Sequence, residues 1–293
     1  MWFKNLVMYR LGNWNESAES LSRHLARQPL QPCGAGEMQR HGWIPPMEED
    51  FAHAVPPHLW ITLATEKKLL PASVISQEAR LRGEAFEQTR GYKPGRKQMK
   101  DIKESVIDEL MPRAFAVQRT THAWIHPTRQ WLIIDSANMN RAEELLETLR
   151  KSGLSFSANP LRTRLSPVTA MTDWLINDTL PSTFTIDRDC ELRSRQDERM
   201  KVRYAHHALD GGEMRGHVQS GKDVTRLALT WGQKISFVLD EALQLRRVAP
   251  LDILLEQRQT EDATMDADFA LMTLELSSLI DDLIEVLDGL DER

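Results

Sequence analysis

The sequence predicts an α+β fold in which antiparallel sheets carry flanking helices. Several short segments alternate apolar and polar residues between turn-forming residues, which is the pattern of half-buried antiparallel strands. Other segments repeat apolar residues every three or four positions, as amphipathic helices do. No strand segment is the continuous apolar run that a buried parallel sheet requires. Strand and helix segments alternate along the 293 residues, which favours the mixed α+β class over an all-α or all-β protein.

Strands in the first part of the chain are predicted from alternation and from turn residues. Between residues 58 and 65, Leu59, Ile61 and Leu63 are separated by Trp60 and Thr62. A hairpin is expected where a Pro-Thr-Arg turn separates two apolar segments. The predicted strands are Trp2–Leu11, His58–Thr65, His122–His126, Trp131–Asp135 and Leu154–Leu161.

Helices in the same part are predicted from spacing and from stop signals. Leu21 and Leu25 are four residues apart, and Pro29 ends that helix. Gly153 closes a later helix in the manner of a C-terminal glycine cap. The predicted helices are Glu16–Gln28, Ile75–Phe86, Lys97–Leu110 and Asn140–Lys151.

The C-terminal part begins with a short helix at Thr169–Ile176. Residues 190–202 are highly charged, and residues 203–216 are predicted to form a turn region. Two paired strands follow across a Thr-Trp-Gly-Gln turn, with a third after them, and a long amphipathic helix ends the chain. These last elements are Val224–Leu229, Lys234–Leu239, Leu243–Val248 and Asp266–Leu287.

This order of elements predicts three domains. Residues 1–75 and 113–168 form a discontinuous central α/β domain. Residues 76–112 form a basic helical protrusion, here called the tip. Residues 169–293 form a C-terminal α+β base domain. The apolar stripe of the last helix is explained either by the core of its own domain or by a seam between two subunits.

Composition excludes several classes of protein. Hydrophobic residues make up 41% of the chain, as in a globular protein, and no apolar run reaches the roughly 18 residues of a membrane span. The N-terminal segment lacks the pattern of a signal peptide. Cys33 and Cys190 are 157 positions apart, which is neither a disulfide framework nor zinc spacing, so a reducing cytoplasm is expected.

Charge is distributed unevenly along the chain. The net charge is −6, but residues 256–293 contain 12 acidic and 2 basic residues. That segment therefore has a net charge of −10, and residues 1–255 have a net charge of +4. A basic surface combined with an acidic end is compatible with this asymmetry.

No catalytic or metal-binding pattern emerges. The segment from Gly216 to Lys222 matches a phosphate-binding loop for seven positions, but Asp223 replaces the hydroxyl residue that holds magnesium. We therefore expect a surface turn. His122 and His126 share one face of a strand about 13 Å apart, too far for one metal ion. No enzyme, cofactor or metal is predicted.

Two basic clusters are the best lead to function. Arg96, Lys100 and Lys103 fall at helical spacings of four and three and form one positive ridge. Such a ridge binds DNA phosphates and releases counterions. A solvated helix face is the alternative interpretation of the first cluster and ordinary charges at strand ends that of the second, and both alternatives remain open. The first cluster consists of Arg90, Lys93, Arg96, Lys97, Lys100 and Lys103, and the second of Arg203, Arg215, Lys222 and Arg226.

The sequence resembles the recombination-associated protein RdgC family from its first residue to its last helix. The blocks that carry the resemblance are Met1–Leu6 with Tyr9–Leu11, Gly42–Pro46, Lys68–Pro71, Leu110–Phe115, Gly221–Leu229 with Trp231, and Asp266–Thr273. The resemblance implies a homodimeric ring around double-stranded DNA, with single-stranded DNA left open, and no catalytic activity. It also implies association with the nucleoid and restraint of RecA recombinase.

The resemblance also implies site residues. Lys222 falls on a lysine of the family that is implicated in DNA binding. His206 stands where the family tends to carry lysine, and Gln118 stands near a family aromatic position. With the basic clusters, the expected DNA-binding residues are Lys222, Arg226, Arg203, Arg113, Lys93, Arg96, Lys97, Lys100 and Lys103. The alternative function is a protein-interaction module that contacts the recombinase directly, with DNA binding incidental.

Overall fold

One large antiparallel sheet organises the computed structural model, which describes residues 2–47, 49–177, 179–209, 211–257 and 264–291. Its strand order is β2-β4-β5-β6-β1-β12-β11-β10-β8-β9, with β3 beside β4 and β7 beside β1. The strands are β1 Leu6–Gly12, β2 Gln39–Ile44, β3 Ala52–Val55, β4 His58–Lys68, β5 Ala116–His126, β6 Trp131–Asp135, β7 Ser157–Pro160, β8 Phe184–Ser194, β9 Lys201–Tyr204, β10 Lys222–Trp231, β11 Ile235–Asp240 and β12 Leu245–Pro250.

Eight α-helices occur in the described part of the chain. They are α1 Ala18–Leu25, α2 Ala72–Arg90, α3 Arg96–Leu110, α4 Met139–Lys151, α5 Pro167–Asn177, α6 Gly211–Gln219, α7 Asp252–Gln257 and α8 Met265–Val286. A 3₁₀ turn at Met111–Arg113 follows α3. The α+β class with an antiparallel sheet is confirmed. No helix in these ranges is long and apolar enough to cross a bilayer.

Apolar side chains cover both faces of the sheet at the central strand β1. Val7 and Tyr9 point to the side on which α1 and α4 pack, and we call the apolar cluster there core A. Leu6 and Met8 point to the other side, where α5 and α8 pack, and we call that cluster core B. Because successive strand residues point to opposite faces, β1 serves both cores.

The two halves of the sheet join where β1 pairs with β12. Leu6 pairs with Leu245, and Val248 donates a backbone hydrogen bond of 2.8 Å to the carbonyl of Lys4. Core B contains Trp60 and Trp124 from the first part of the chain together with the strands and helices that follow residue 169. Elements from both sides of the predicted boundary therefore share one core, and the three-domain division stays a prediction.

Helices α2 and α3 form a hairpin inserted between β4 and β5. Buried Ala79 and Gly83 of α2 face α3, where Val106 is also buried. A side chain at Gly83 would meet the methyl group of Met99, so glycine permits this close approach. The guanidinium of Arg82 pairs with Glu109 at 2.7 Å. The hairpin occupies the range predicted for the tip.

Several element boundaries predicted from the sequence were wrong. The region 203–216, predicted as turns, includes the end of β9 and most of α6, although residue 210 lies outside the description. The strand predicted at Leu154–Leu161 is limited to Ser157–Pro160. The charged segment after Cys190 continues a strand that begins at Phe184, and β2 and β3 were not predicted. Residues 258–263 and 292–293 of the acidic C-terminal segment lie outside the described residues.

Gly42 is expected to tolerate no side chain. Trp43 of β2 exchanges backbone hydrogen bonds of 2.8 and 2.9 Å with Gln28 and Leu30, which brings that segment against Gly42. A Cβ atom at Gly42 would overlap the backbone of Leu30. Gly42→Ala should therefore lower the free energy of unfolding by about 3 kcal/mol, the upper range for overpacking, in urea denaturation. Gly36→Ala, where a Cβ meets open space, is the control and should change it little. Equal stability of the two variants would contradict the packing.

Stability is expected to fall in acid because of a buried histidine pair. The rings of His58 and His126 lie 4.7 Å apart, and both residues are buried. The ring of His58 also lies against Trp124 of core B. Burial, then the charges of His126 and Arg129, lowers the pKa of His58 to about 4. Because the unfolded histidine takes up its proton near pH 6.5, stability is complete above that pH and is lost as the pH falls toward 4.

The size of the effect follows from the same pKa shift. Between pH 7.5 and pH 5, proton uptake by His58 in the unfolded state should lower the free energy of unfolding by up to about 2 kcal/mol. A His58→Leu variant should show a fall smaller by that amount in urea denaturation, whereas His207→Leu, at an exposed position, should keep the wild-type fall. An unchanged pH dependence in His58→Leu would refute this role.

Candidate nucleic-acid interface

The side of β8 to β12 that is turned away from core B carries a row of charged residues. We call this side the open face. Arg203 of β9 pairs with Glu191 of β8, which pairs with Arg226 of β10, and Arg226 pairs with Asp240 of β11. Directly paired residues in antiparallel strands place their side chains on the same face, about 5 Å apart. The row therefore alternates in charge across four strands.

Local strand geometry explains why Arg226 faces outward. Its neighbours Leu227 and Leu229 lie in core B, and a register shift between Val224 and Arg226 marks a bulge in the pairing with β8. Bulges re-aim side chains in this way. The side chain of Arg226 remains 48% exposed.

Four arginines converge on one pocket of the open face. The pocket has a volume of 230 Å³, and its lining includes a valine and a tyrosine besides charged groups. Arg203 and Arg226 come from β9 and β10, whereas Arg246 and Arg247 are consecutive residues of β12. The full lining is Asn5, Asp189, Cys190, Glu191, Arg203, Tyr204, Arg226, Val238, Arg246 and Arg247.

Carboxylates hold three of these guanidinium groups in place. Arg226 lies 3.6 Å from Glu191, Arg247 lies 2.8 Å from Asp189, and Arg246 lies 2.7 Å from the buried Asp240. Within the described residues, Arg203 has no ion-pair partner. Four arginines against these three carboxylates leave the group with one excess positive charge at neutral pH.

The carboxylate of Asp189 is stabilised in its ionised form. The backbone amide of His206 donates to it at 2.9 Å, and this bond, followed by the bond from Arg247, lowers the pKa of Asp189. The same two contacts tie the start of the segment after β9 to β12. A second pocket of 430 Å³ continues the open face and is lined in part by Arg188, His206 and Arg247.

The hairpin presents a second basic surface. All five of its expected DNA-binding residues are exposed, and Lys100 lies 3.4 Å from Glu104 one turn along α3. Arg113 is exposed in the 3₁₀ turn at the foot of the hairpin. We call this set the basic ridge: Lys93, Arg96, Lys97, Lys100 and Lys103.

Lys222 is placed apart from both surfaces. It begins β10, its ammonium group donates to the Oγ of Ser220 at 2.7 Å, and it does not line the pocket that holds Arg203 and Arg226. Gly221 before it has a φ of +82°, which favours glycine. Gly216 lies in α6 and the segment leads into a strand, so it does not form a phosphate-binding loop.

Sequence reasoning missed part of the arginine pocket. Arg246 and Arg247 of this pocket, and Arg188 of the second pocket, were not among the expected residues. A register shift between Ser236 and Val238 breaks the alternation in the pairing of β11 with β12. The signal that could have indicated them was the Arg246-Arg247 pair, because two adjacent charged residues are unusual in an otherwise apolar strand such as β12. Among the described residues, no group of three His, Cys, Asp or Glu side chains is arranged to hold a metal ion.

A twelve-stranded antiparallel sheet, an inserted basic hairpin and an arginine-lined open face define the class: an α+β protein with two separate cationic surfaces. Residues 1–290 match the family model described as "Putative exonuclease, RdgC". The chain belongs to the RdgC family.

Curated relatives agree with this assignment along the whole chain. The chain is 45% identical to the recombination-associated protein RdgC of Janthinobacterium sp. (strain Marseille), over 100% of both chains. It is 44% identical to the protein of the same name from Herminiimonas arsenicoxydans, over 99% of this chain and 98% of that one. The family is therefore associated with recombination. The family description mentions an exonuclease, whereas the names of these relatives do not.

Proposed function

We propose that this chain binds DNA through the phosphate backbone, with little regard to sequence, as a homodimeric ring that restrains RecA-type recombination in the nucleoid. The convergence of Arg203, Arg226, Arg246 and Arg247 on the open face is the observation that carries the proposal. Guanidinium groups bind phosphate oxygens through paired hydrogen bonds, and neutralised phosphates release counterions.

The arrangement of these arginines favours contact with phosphates over reading of bases. They project from a sheet face and from its edge rather than from a helix shaped to enter the major groove. Carboxylate partners fix three of the four guanidinium groups before any ligand arrives, which lowers the entropic cost of binding. The basic ridge of the hairpin would add contacts that are equally independent of sequence.

The homodimer is supported by an exposed apolar patch at the foot of the hairpin. Phe115 is 85% exposed, and Leu69, whose amide donates to the carbonyl of Phe115 at 2.7 Å, is 50% exposed. Val117, two residues further along the extended segment, is 38% exposed. A large aromatic side chain that is exposed to solvent in the single chain is typical of a surface that another protein covers. A two-fold dimer would bury this patch against its own copy.

Binding to DNA is tested by fluorescence anisotropy with two duplexes of unrelated sequence. We expect equal dissociation constants for both and a steep linear loss of affinity as salt rises. Affinity that is independent of salt, or confined to one sequence, would contradict the proposal.

We also propose that DNA is bound without being cleaved, despite the word exonuclease in the family description. The test incubates an end-labelled duplex with the protein and Mg²⁺ or Mn²⁺ and follows the label by denaturing electrophoresis. We expect intact strands. Progressive shortening from one end that follows the protein through purification would overturn this part.

The exposed Phe115 also favours a second candidate function, in which the chain contacts the recombinase directly and DNA binding is incidental. This function predicts capture of the recombinase after nuclease treatment, and inhibition of strand exchange by a variant that no longer binds DNA. The proposed DNA-binding function predicts that both effects disappear.

A further inference from the structure

Lys68 carries a buried positive charge at the point where the chain leaves the sheet for the hairpin. It is the last residue of β4 and is only 6% exposed. No carboxylate within the described residues forms an ion pair with it. Instead, its ammonium group donates to the carbonyl oxygens of Gly34, Ala35 and Met111 at 2.9, 3.2 and 3.0 Å.

The hydrogen-bonding capacity of the Lys68 ammonium group matches the three carbonyl oxygens around it. An ammonium group has three N–H donors and no acceptor, and here three carbonyl oxygens receive them. Burying a charge is costly unless its hydrogen bonds are satisfied. An apolar side chain could fill this space without the free-energy penalty of burying a charge. The three hydrogen bonds therefore point to a positioning role for Lys68.

The three carbonyls belong to two different parts of the molecule. Gly34 and Ala35 lie in the loop that leads to β2, and Met38 of that segment accepts a backbone bond of 2.8 Å from Lys68. Met111 lies in the 3₁₀ turn that ends the hairpin. The ammonium group therefore joins the outgoing end of the hairpin to the edge of the sheet.

Other polar contacts of the hairpin act within it. Arg82 joins α2 to α3 through Glu109 and binds Glu78 within α2, so it stiffens the hairpin without fixing its direction. The direction is set at the foot, by the ladder between β4 and β5, by the bond from Leu69 to Phe115 and by Lys68.

We propose that Lys68 is a positioning residue whose buried ammonium group pins the foot of the hairpin and thereby holds the basic ridge at a fixed direction relative to the sheet. The pin itself is independent of ligand. Its consequence for DNA rests on the proposed function.

The pin is tested by hydrogen exchange of the full-length protein. Lys68→Met keeps the length of the side chain and removes its donors, and Lys67→Met removes the same charge from the exposed neighbouring position. We expect amide exchange in residues 34–38 and 111–115 to rise at least tenfold in Lys68→Met alone, with β10 and β11 unchanged. Exchange that matches Lys67→Met, or that rises equally throughout the chain, overturns the pin.

A second variant covers the case in which Lys68→Met does not fold. Lys68→Arg keeps the charge, but its planar fork cannot direct three donors at three converging carbonyls. We expect the same localised rise in exchange, to a smaller extent. Wild-type exchange in Lys68→Arg would show that only charge matters and would overturn the pin.

The consequence for DNA is measured as the salt dependence of duplex affinity. A loosened foot should lower the number of phosphates contacted at once, so the slope of log affinity against log salt should become shallower in Lys68→Met than in Lys67→Met. A mere loss of folded protein would leave the slope unchanged. Loosening without any change in slope refutes the positioning role, whereas failure of the wild type to bind DNA refutes the proposed function and leaves the exchange result to decide the pin.

Discussion

Replacing both Arg203 and Arg226 by glutamine should weaken binding to every duplex by at least about tenfold, because two charge-assisted phosphate contacts are lost. Both guanidinium groups line the same pocket, and that of Arg203 has no ion-pair partner within the described residues. The salt slope should become shallower by about 2, since each lost phosphate contact removes roughly 0.9. Anisotropy titrations at several salt concentrations measure both quantities.

A matched control separates the pocket from net charge. Arg199→Gln with Lys151→Gln removes two charges from side chains outside the pocket, which are 90% and 63% exposed. These residues do not line the pocket. We expect the salt slope of this control to change by less than half as much as that of the Arg203 and Arg226 double variant. Equal weakening by the two double variants would mean that the open face has no special role.

Phe115→Asp should convert the expected dimer into monomers. An aromatic side chain that is 85% exposed in one chain is suited to being a hot spot of an interface, and its loss typically costs about 2–4 kcal/mol. The dimer dissociation constant should therefore rise by at least about thirtyfold, as measured by sedimentation equilibrium. If DNA is held by enclosure, its dissociation should accelerate in the same variant.

Met200→Asp provides the control for this change. Met200 is 51% exposed at the turn between β8 and β9, far along the sheet from β5. We expect this variant to remain dimeric. A Phe115→Asp protein that sediments as the wild type does would remove the patch from the interface.

Long elements with one dominant period were predictable from the sequence. Helix α8 and strand β4 lie close to their expected ranges because core residues recur along them without interruption. The hairpin was predicted for the same reason, together with the glycines and proline between its helices.

Elements whose stability comes from distant contacts were not predictable. Helix α6 contains Gly211, Gly212 and Gly216, which disfavour helix, yet buried Met214 anchors it in core B. In β8, charged residues on the open face make the sequence look like a polar loop, although the other side of the strand, including Leu192, is buried. Tertiary burial overrode local preference in both cases.

The candidate site was partly predictable for a related reason. Charge clustering indicated Arg203 and Arg226, but only strand pairing shows that they lie in one row with Glu191 between them. Lys222, which is close to Arg226 in sequence, belongs to neither surface. The register shift between Val224 and Arg226 changes the face that the later residues of β10 occupy, so the alternation read from the sequence does not carry over from Lys222 to Arg226.

The most direct test of the central claim is site-specific photocrosslinking to a labelled duplex. A crosslinking amino acid is placed at Arg188 on the open face, at Asp101 on the hairpin, and at Leu274, which is 63% exposed on α8 on the opposite side of the sheet. The proposed function predicts labelled DNA attached at positions 188 and 101 and none at 274. Crosslinks that form equally at 274, or only there, would show that DNA lies elsewhere.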